Sequence, residues 1–198
     1  MEAARNKTEP RGRRKPRKAT PAYLERAALF YLDRYATSAE NLRRVLRRKV
    51  QRSARFHEID EPACEAAIED LVARFLRSGL LDDAGYAETR ARSLFRRGQS
   101  LRAIRQNLAQ KGVGREEAEA ALERLQEDNA APDLTAALAY ARRRRLGPYR
   151  ADPERADRRE RDLAALARRG FAPDIALAVI DAASVAELEE SIASREGL

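Results

Sequence analysis

The chain has 198 residues, 36% of them charged and 43% hydrophobic, with no Trp and a formal net charge of +8 at pH 7. Its single cysteine, Cys64, excludes an internal disulfide and a four-thiolate zinc site, and no apolar run approaches the roughly 20 residues needed to span a bilayer. The basic start is not followed by an apolar stretch and so does not read as a secretory signal. We expect a cytoplasmic protein with thin helical cores in which alanine does much of the close packing.

Residues 1–20 hold eight basic and two acidic side chains, so +6 of the net charge sits there and +2 is left for the body. They lack hydrophobic periodicity and read as a disordered basic tail. A first three-helix repeat is predicted over 21–80. Its first helix starts at about Pro21, with Leu24, Ala27, Ala28, Tyr31, Leu32 and Tyr35 at helical spacing. Ser38 caps the second, whose stripe is Leu42, Val45, Leu46 and Val50. Asp60 and Pro62 open the third, where Ile68, Leu71, Val72, Phe75 and Leu76 face inward before Gly79.

The plan recurs over 81–128. Asp82 or Asp83 caps a helix with Ala87, Ala91, Leu94 and Phe95 on its apolar face, and Gly98 stops it. Ser100 caps the next, built on Leu101, Ile104 and Leu108 and ended by Gly112; a third runs from Gly114 to about Gln126 on Ala118, Ala121, Leu122 and Leu125. The third repeat, 129–184, begins near Asp133 and runs into Arg142–Arg145 before Gly147-Pro148. Asp152 and Pro153 open its second helix as cap and first-turn proline, and Leu163 and Leu166 lead to Gly170. Pro173-Asp174 starts its last helix, with Ile175, Val179 and Ile180 buried, and 185–198 form a C-terminal helical tail.

Leu42 and Leu46 match Ile104 and Leu108 at a shift of 62, and Leu108 and Gly112 match Leu166 and Gly170 at a shift of 58. The phrases LRRKV, LAQKGV and LARRGF close the second helix of each unit. The second helix of the third unit is lengthened by a charged insertion, roughly Tyr149 to Arg161. Units of about 60 residues, each with one thin core, stack with their neighbours. The fold class is therefore all-α, an elongated array of three tandem three-helix repeats with no sheet.

Little in the chain suggests catalysis. His57 is the only histidine and reads as a surface or partly buried side chain. Cys64 near a helix start has reason for a lowered thiol pKa, yet no histidine lies near it in sequence. No phosphate-loop motif occurs; Gly112 is a left-handed helix end, and Asp82-Asp83 and Glu116-Glu117 complement helix dipoles. We expect no catalytic residue, cofactor or metal. What remains is arginine. Arg43, Arg44, Arg47 and Arg48, and Arg158 to Arg161, read as solvated faces laced with pairs to glutamates. The binding candidates are Arg90, Arg92, Arg96, Arg97, Arg102, Arg105, Lys111 and the acid-free run Arg142, Arg143, Arg144 and Arg145.

The stretch from Asp82 to Val113 closely resembles the RecX family, bacterial regulators of the RecA recombinase. The likeness lies in Asp83, Tyr86 and Ala87, then Arg92-Ser93-Leu94, then Arg96-Arg97-Gly98, then Ile104, Leu108 and Lys111-Gly112. It is strongest over 75–125, looser over 22–183, and does not cover the first 20 residues. The resemblance implies a non-enzymatic protein that binds along the RecA–DNA filament and inhibits its ATPase, strand-exchange and co-protease activities. It also implies single- or double-stranded DNA as a weaker, salt-dependent partner, and we expect a monomer with no membrane or small-molecule partner. Charge and repeats alone support a second reading, a general DNA-binding protein with no RecA role that acts through its tail and arginine-rich helices.

Overall fold

The computed structural model describes residues 15–196. Ten α-helices and no strand run through them: α1 (Pro21–Leu32), α2 (Ala39–Ala54), α3 (Glu61–Arg77), α4 (Asp83–Arg96), α5 (Leu101–Gln110), α6 (Arg115–Glu127), α7 (Pro132–Arg144), α8 (Asp152–Arg168), α9 (Pro173–Asp181) and α10 (Val185–Glu196). A short 3₁₀ turn, Gly147–Tyr149, separates α7 from α8. The starts follow side-chain chemistry. Ser38, Asp60, Asp82 and Ser100 each accept a hydrogen bond from the backbone N–H three residues on, satisfying a donor that the first turn leaves free. Asp82 is thus the cap of α4, and Asp83 is left for another task.

The ends share one device. Gln99, Val113, Leu146 and Phe171 each donate a backbone N–H to the carbonyl five residues earlier, the long bond of a Schellman cap closing α4, α5, α7 and α8. The preceding residue has positive φ in every case: Gly98, Gly112 and Gly170, but Arg145 at φ 53° in α7.

Three hydrophobic clusters follow in chain order. The first joins α1–α3 around Leu24, Leu42, Leu46, Ile68 and Val72. The second joins α4–α6 around Ala87, Ala91, Ile104, Leu108 and Leu122. The third joins α7–α9 around Ala137, Leu166, Val179 and Ile180, and α10 adds Leu188 and Ile192 to it. Phe95 packs against both the second and the third.

Several local expectations shift. The LRRKV phrase does not end α2, which continues to Ala54 because position 50 is a buried valine where the second unit has Gly112. Tyr35 lies beyond the end of α1 and is exposed. The N-cap position of α8 falls on Ala151 rather than Asp152, with Pro153 in the first turn. The packed body also begins earlier than the composition suggests. Residues 15–20 lie against the first unit, where Ala19 is buried, its N–H donates to Ser53 Oγ (2.8 Å), and the Pro16 carbonyl lies 2.7 Å from His57 Nε2. Buried Ser53 supplies the acceptor that lets this backbone dock. Residues 1–14 of the expected tail lie outside the described residues.

A repeated joint connects the units. Ser38 caps α2 and its hydroxyl also donates to the carbonyl of Lys111 at the end of α5, while the Ala39 N–H donates to Asp83 Oδ1 (2.7 Å) at the start of α4. At the next junction Ser100 caps α5 and donates to the Arg169 carbonyl at the end of α8 (3.2 Å), while the Leu101 N–H donates to Asp133 Oδ1 (2.8 Å) at the start of α7. Both serines are fully buried. Gly112 and Gly170 make these approaches possible: a Cβ on Gly112 would meet Glu40, and one on Gly170 would meet Ser100 Oγ at 2.6 Å. Burial pushes the Asp83 carboxyl up, partly countered by the Ala39 N–H that it accepts.

Two outcomes test this description. Gly79 and Gly98 both have positive φ, but a Cβ on Gly79 meets nothing, whereas one on Gly98 meets Tyr140 Cβ at 2.6 Å and the Ala136 carbonyl at 2.8 Å. In urea melts Gly79→Ala should cost about 1 kcal/mol from backbone strain, and Gly98→Ala roughly 1–3 kcal/mol more from overpacking. Equal losses would mean that the Gly98 contact is not tight. Ser100→Ala and Asp133→Ala should each cost about 1 kcal/mol. Their double-mutant cycle should show a coupling of at least about 0.5 kcal/mol; strict additivity would mean that the two bonds do not act as one joint.

Candidate functional site

The structure sorts the candidate arginines by what already holds them. Arg105 is committed, its Nε and Nη2 donating to the two carboxylate oxygens of Glu119 at 2.7 and 2.8 Å. That bidentate pair raises the Arg105 guanidinium and lowers the Glu119 carboxyl from their ordinary ranges. Arg90 donates to Asn107 Oδ1 at 2.9 Å and borders a shallow groove of about 700 Å³ between the first and second units, with Leu29, Tyr35, Leu80 and Tyr86. Arg92 pairs with Glu88 one turn earlier at 3.1 Å.

Others gather where the second unit meets the third. Arg143 Nη2 donates to the Arg97 carbonyl at 2.7 Å, capping the C-terminus of α4 from a neighbouring helix. Arg102 Nε donates to the Gly170 carbonyl at 3.3 Å. Arg143 and Arg169 both lie over the ring of Tyr140, at 5.7 and 4.7 Å, with the guanidinium facing the negative π surface. Gly98 lets the end of α4 approach Tyr140 this closely. The candidates at the end of α4 and those of α7, far apart in sequence, thus share one junction.

Around it, Arg96, Arg97, Arg142 and Arg145 are exposed, and among the described residues their side chains make no hydrogen bond or ion pair. Arg145 adds strain, since α7 ends on it in the left-handed region where glycine costs nothing and an L side chain about 1–2 kcal/mol. Lys111 is different: half-buried, it contributes its backbone carbonyl to the first joint.

Sequence reasoning did not single out Arg169, whose position just after α8 carries no signal of a stacking partner 29 residues earlier in the chain. It did place Arg43, Arg44 and Arg47 on a glutamate-laced face. Half of the pairs stay within α2, where all three arginines reach Glu40, and half cross to α3, Arg43 with Glu69 at 2.8 Å and Arg47 with Glu65 and Glu69. Cys64 is buried, and burial first, then the charges of Asp60 and Glu61, push its thiol up; the lowered value expected at a helix start is reversed because the low-polarity surroundings outweigh the dipole. Among the described residues no group of three or more His, Cys, Asp or Glu side chains is placed to hold a metal ion, and no helix is long and apolar enough to cross a membrane.

Fold and surface together define an all-α protein of joined three-helix units, with exposed arginines at one junction whose side chains have no partner among the described residues. Residues 82–122, which span α4, α5 and most of α6, match the family model described as RecX, second three-helix domain. The chain is 46% identical over 182 residues to the regulatory protein RecX of Myxococcus xanthus, covering 89% of this chain and 94% of that one. It is 36% identical over 159 residues to the regulatory protein RecX of Agrobacterium fabrum, covering 80% and 82%. The crystal structure of RecX from Lactobacillus salivarius shares the fold, with a TM-score of 0.55 over 81% of this chain and 94% of that one, at 20% identity. The chain belongs to the RecX family of regulatory proteins.

The strained arginine yields a two-sided outcome. Arg145→Gly should stabilise the protein by up to about 1 kcal/mol in thermal or urea melts. If the side chain serves binding, affinity for the partner should fall in the same variant; unchanged stability would mean that the positive φ carries no strain.

Proposed function

We propose that this protein binds the RecA–DNA filament and inhibits its ATPase, strand-exchange and co-protease activities. The observation that carries the reading is the junction of the second and third units in a RecX-family chain: Arg96, Arg97, Arg142 and Arg145 are exposed there, and their side chains have no partner among the described residues. Held solvated in the free protein, such guanidiniums are available to carboxylates or phosphates of a partner, which their planar fork binds bidentately. Several such contacts distributed over joined units suit a periodic partner, where each contact is modest and the sum decides residence. In this reading the protein works as a monomer in the cytoplasm, needs no cofactor and catalyses no reaction. It acts by holding the filament in a conformation unfit for turnover or by promoting its disassembly, and bare DNA is a weaker, salt-dependent ligand.

The test is the DNA-dependent ATPase of RecA with this protein titrated in at moderate salt. Inhibition at ratios well below one per RecA is the expected result. Inhibition only at amounts that coat the DNA, or none, would favour plain DNA binding. The variant Arg92→Ala/Arg96→Ala/Arg97→Ala should require on the order of tenfold more protein for the same inhibition, about 1.4 kcal/mol of lost binding. Its melting should stay within about 0.5 kcal/mol of the parent; loss of the cooperative transition would make these side chains structural.

A further inference from the structure

A second arginine cluster lies in the third unit, adjoining the junction above through Tyr140 and sharing Arg144 with the candidates. A pocket of about 300 Å³ opens between the end of α7, the 3₁₀ turn and one face of α8, and Arg144, Arg150, Arg158, Arg161 and Arg168 line it with Asp162. Positions 158, 161, 165 and 168 fall at helical spacing, so Arg158, Arg161 and Arg168 share a face of α8 around the small Ala165. We propose that this pocket is a binding site for the backbone phosphates of a nucleic acid.

Its charge is not neutralised from within. Asp162, 4% exposed, is the one carboxylate in the lining, and it is already used: Arg150 Nη2 reaches its two oxygens at 3.2 and 3.4 Å, and the Gly147 N–H donates to Oδ2 at 3.1 Å. Glu154, mostly exposed, stands 3.6 Å from Arg150 Nη1. Among the described residues Arg144, Arg158, Arg161 and Arg168 make no ion pair, and the buried Arg150 Nε has no acceptor. Several like charges around one small concavity disfavour the free protein. A phosphate group relieves this, with its negative charge and several acceptor oxygens for the exposed guanidiniums of Arg144, Arg158, Arg161 and Arg168. The other arginines of α8 show the contrast: Arg159 is tied bidentately to Asp181 at 2.7 Å, and Arg155 caps the end of α9 through the Ile180 and Ala182 carbonyls. Tyr140 and Leu146 are buried beneath the pocket, so its surface offers guanidinium rather than apolar area. That favours a phosphate backbone over an acidic protein segment, which would need apolar contact as well as charge.

This inference deepens the filament reading, because it names how the regulator would grip the DNA within or beside the filament, and it is tested apart from RecA. Fluorescence anisotropy of a labelled single-stranded oligonucleotide would compare the parent chain with Arg158→Ala/Arg161→Ala/Arg168→Ala, leaving the Arg150–Asp162 pair intact. A control, Arg26→Ala/Arg77→Ala/Arg115→Ala, removes the same charge from scattered exposed sites. The pocket variant should bind on the order of tenfold more weakly, with the slope of log affinity against log salt reduced by roughly 2, while the control loses far less. Equal losses in both variants, or none in the pocket variant, would overturn the site. So would strong displacement of the oligonucleotide by ATP from the parent chain alone, which would assign the pocket to a free polyphosphate. Circular-dichroism melts confirm that each variant folds. If the pocket variant loses DNA affinity while the parent chain does not inhibit the RecA ATPase, the pocket stands and the filament reading fails; DNA affinity retained alongside lost inhibition would assign the pocket to a protein surface.

Discussion

The arrangement of the units depends on one hydrogen-bonded joint used twice. Three-helix units with alanine-rich cores have little apolar surface to spare for their neighbours, so the junctions are built from backbone groups that helix ends leave unsatisfied. Each joint sets the N-terminus of one second helix against the C-terminus of the next, α2 to α5 and α5 to α8, through a serine hydroxyl that caps one and donates to the other. Opposite ends of two helix dipoles meet there, which is the favourable pairing. An aspartate from the following unit takes the adjacent N–H, so three helix termini satisfy one another at one place. Because hydrogen bonds are directional, such a joint fixes orientation in a way that an equal area of greasy contact does not.

The same frame decides which arginines are spent internally. Arg43 and Arg47 on α2 neutralise glutamates of α3, Arg105 is locked to Glu119, and Arg102 and Arg143 reinforce the contact of the second and third units through backbone carbonyls. What is left over includes the exposed arginines around the ends of α4 and α7 and those in the concavity beside the 3₁₀ turn, together with scattered surface positions such as Arg26, Arg77 and Arg115. The end of α7 stands apart from those scattered positions in one respect: its unpaired arginines adjoin Arg145, which holds a left-handed backbone that glycine would suit better.

The helices were legible because their signals are local. Caps at Ser38, Asp60, Asp82 and Ser100, stops at Gly98, Gly112 and Gly170, and stripes such as Ala118, Ala121, Leu122 and Leu125 all act within two or three turns. The joints were not legible, since Ser38 and Lys111 are 73 residues apart and a serine at a helix start already has a sufficient local reason to be there. Asp83 shows the same ambiguity: it reads as a possible cap, and its actual partner is Ala39. In the third unit, Arg158 and Arg161 look like any solvated face until the end of α7 is folded back over α8. Burial likewise reversed the expectation for Cys64, because the depth of a side chain is a tertiary property that its place in a helix does not reveal.

Phe95 belongs to two cores, and that has a consequence for how the chain is made. A protein emerging N-terminus first can complete its first cluster once Leu81 has left the ribosome, because no residue of that cluster comes later. The middle cluster cannot close in the same way: one face of Phe95 waits for helices that begin at Pro132. The nascent molecule therefore passes through a stage with one finished unit and one face of Phe95 still in water, and synthesis of the third unit is also the final folding step of the second.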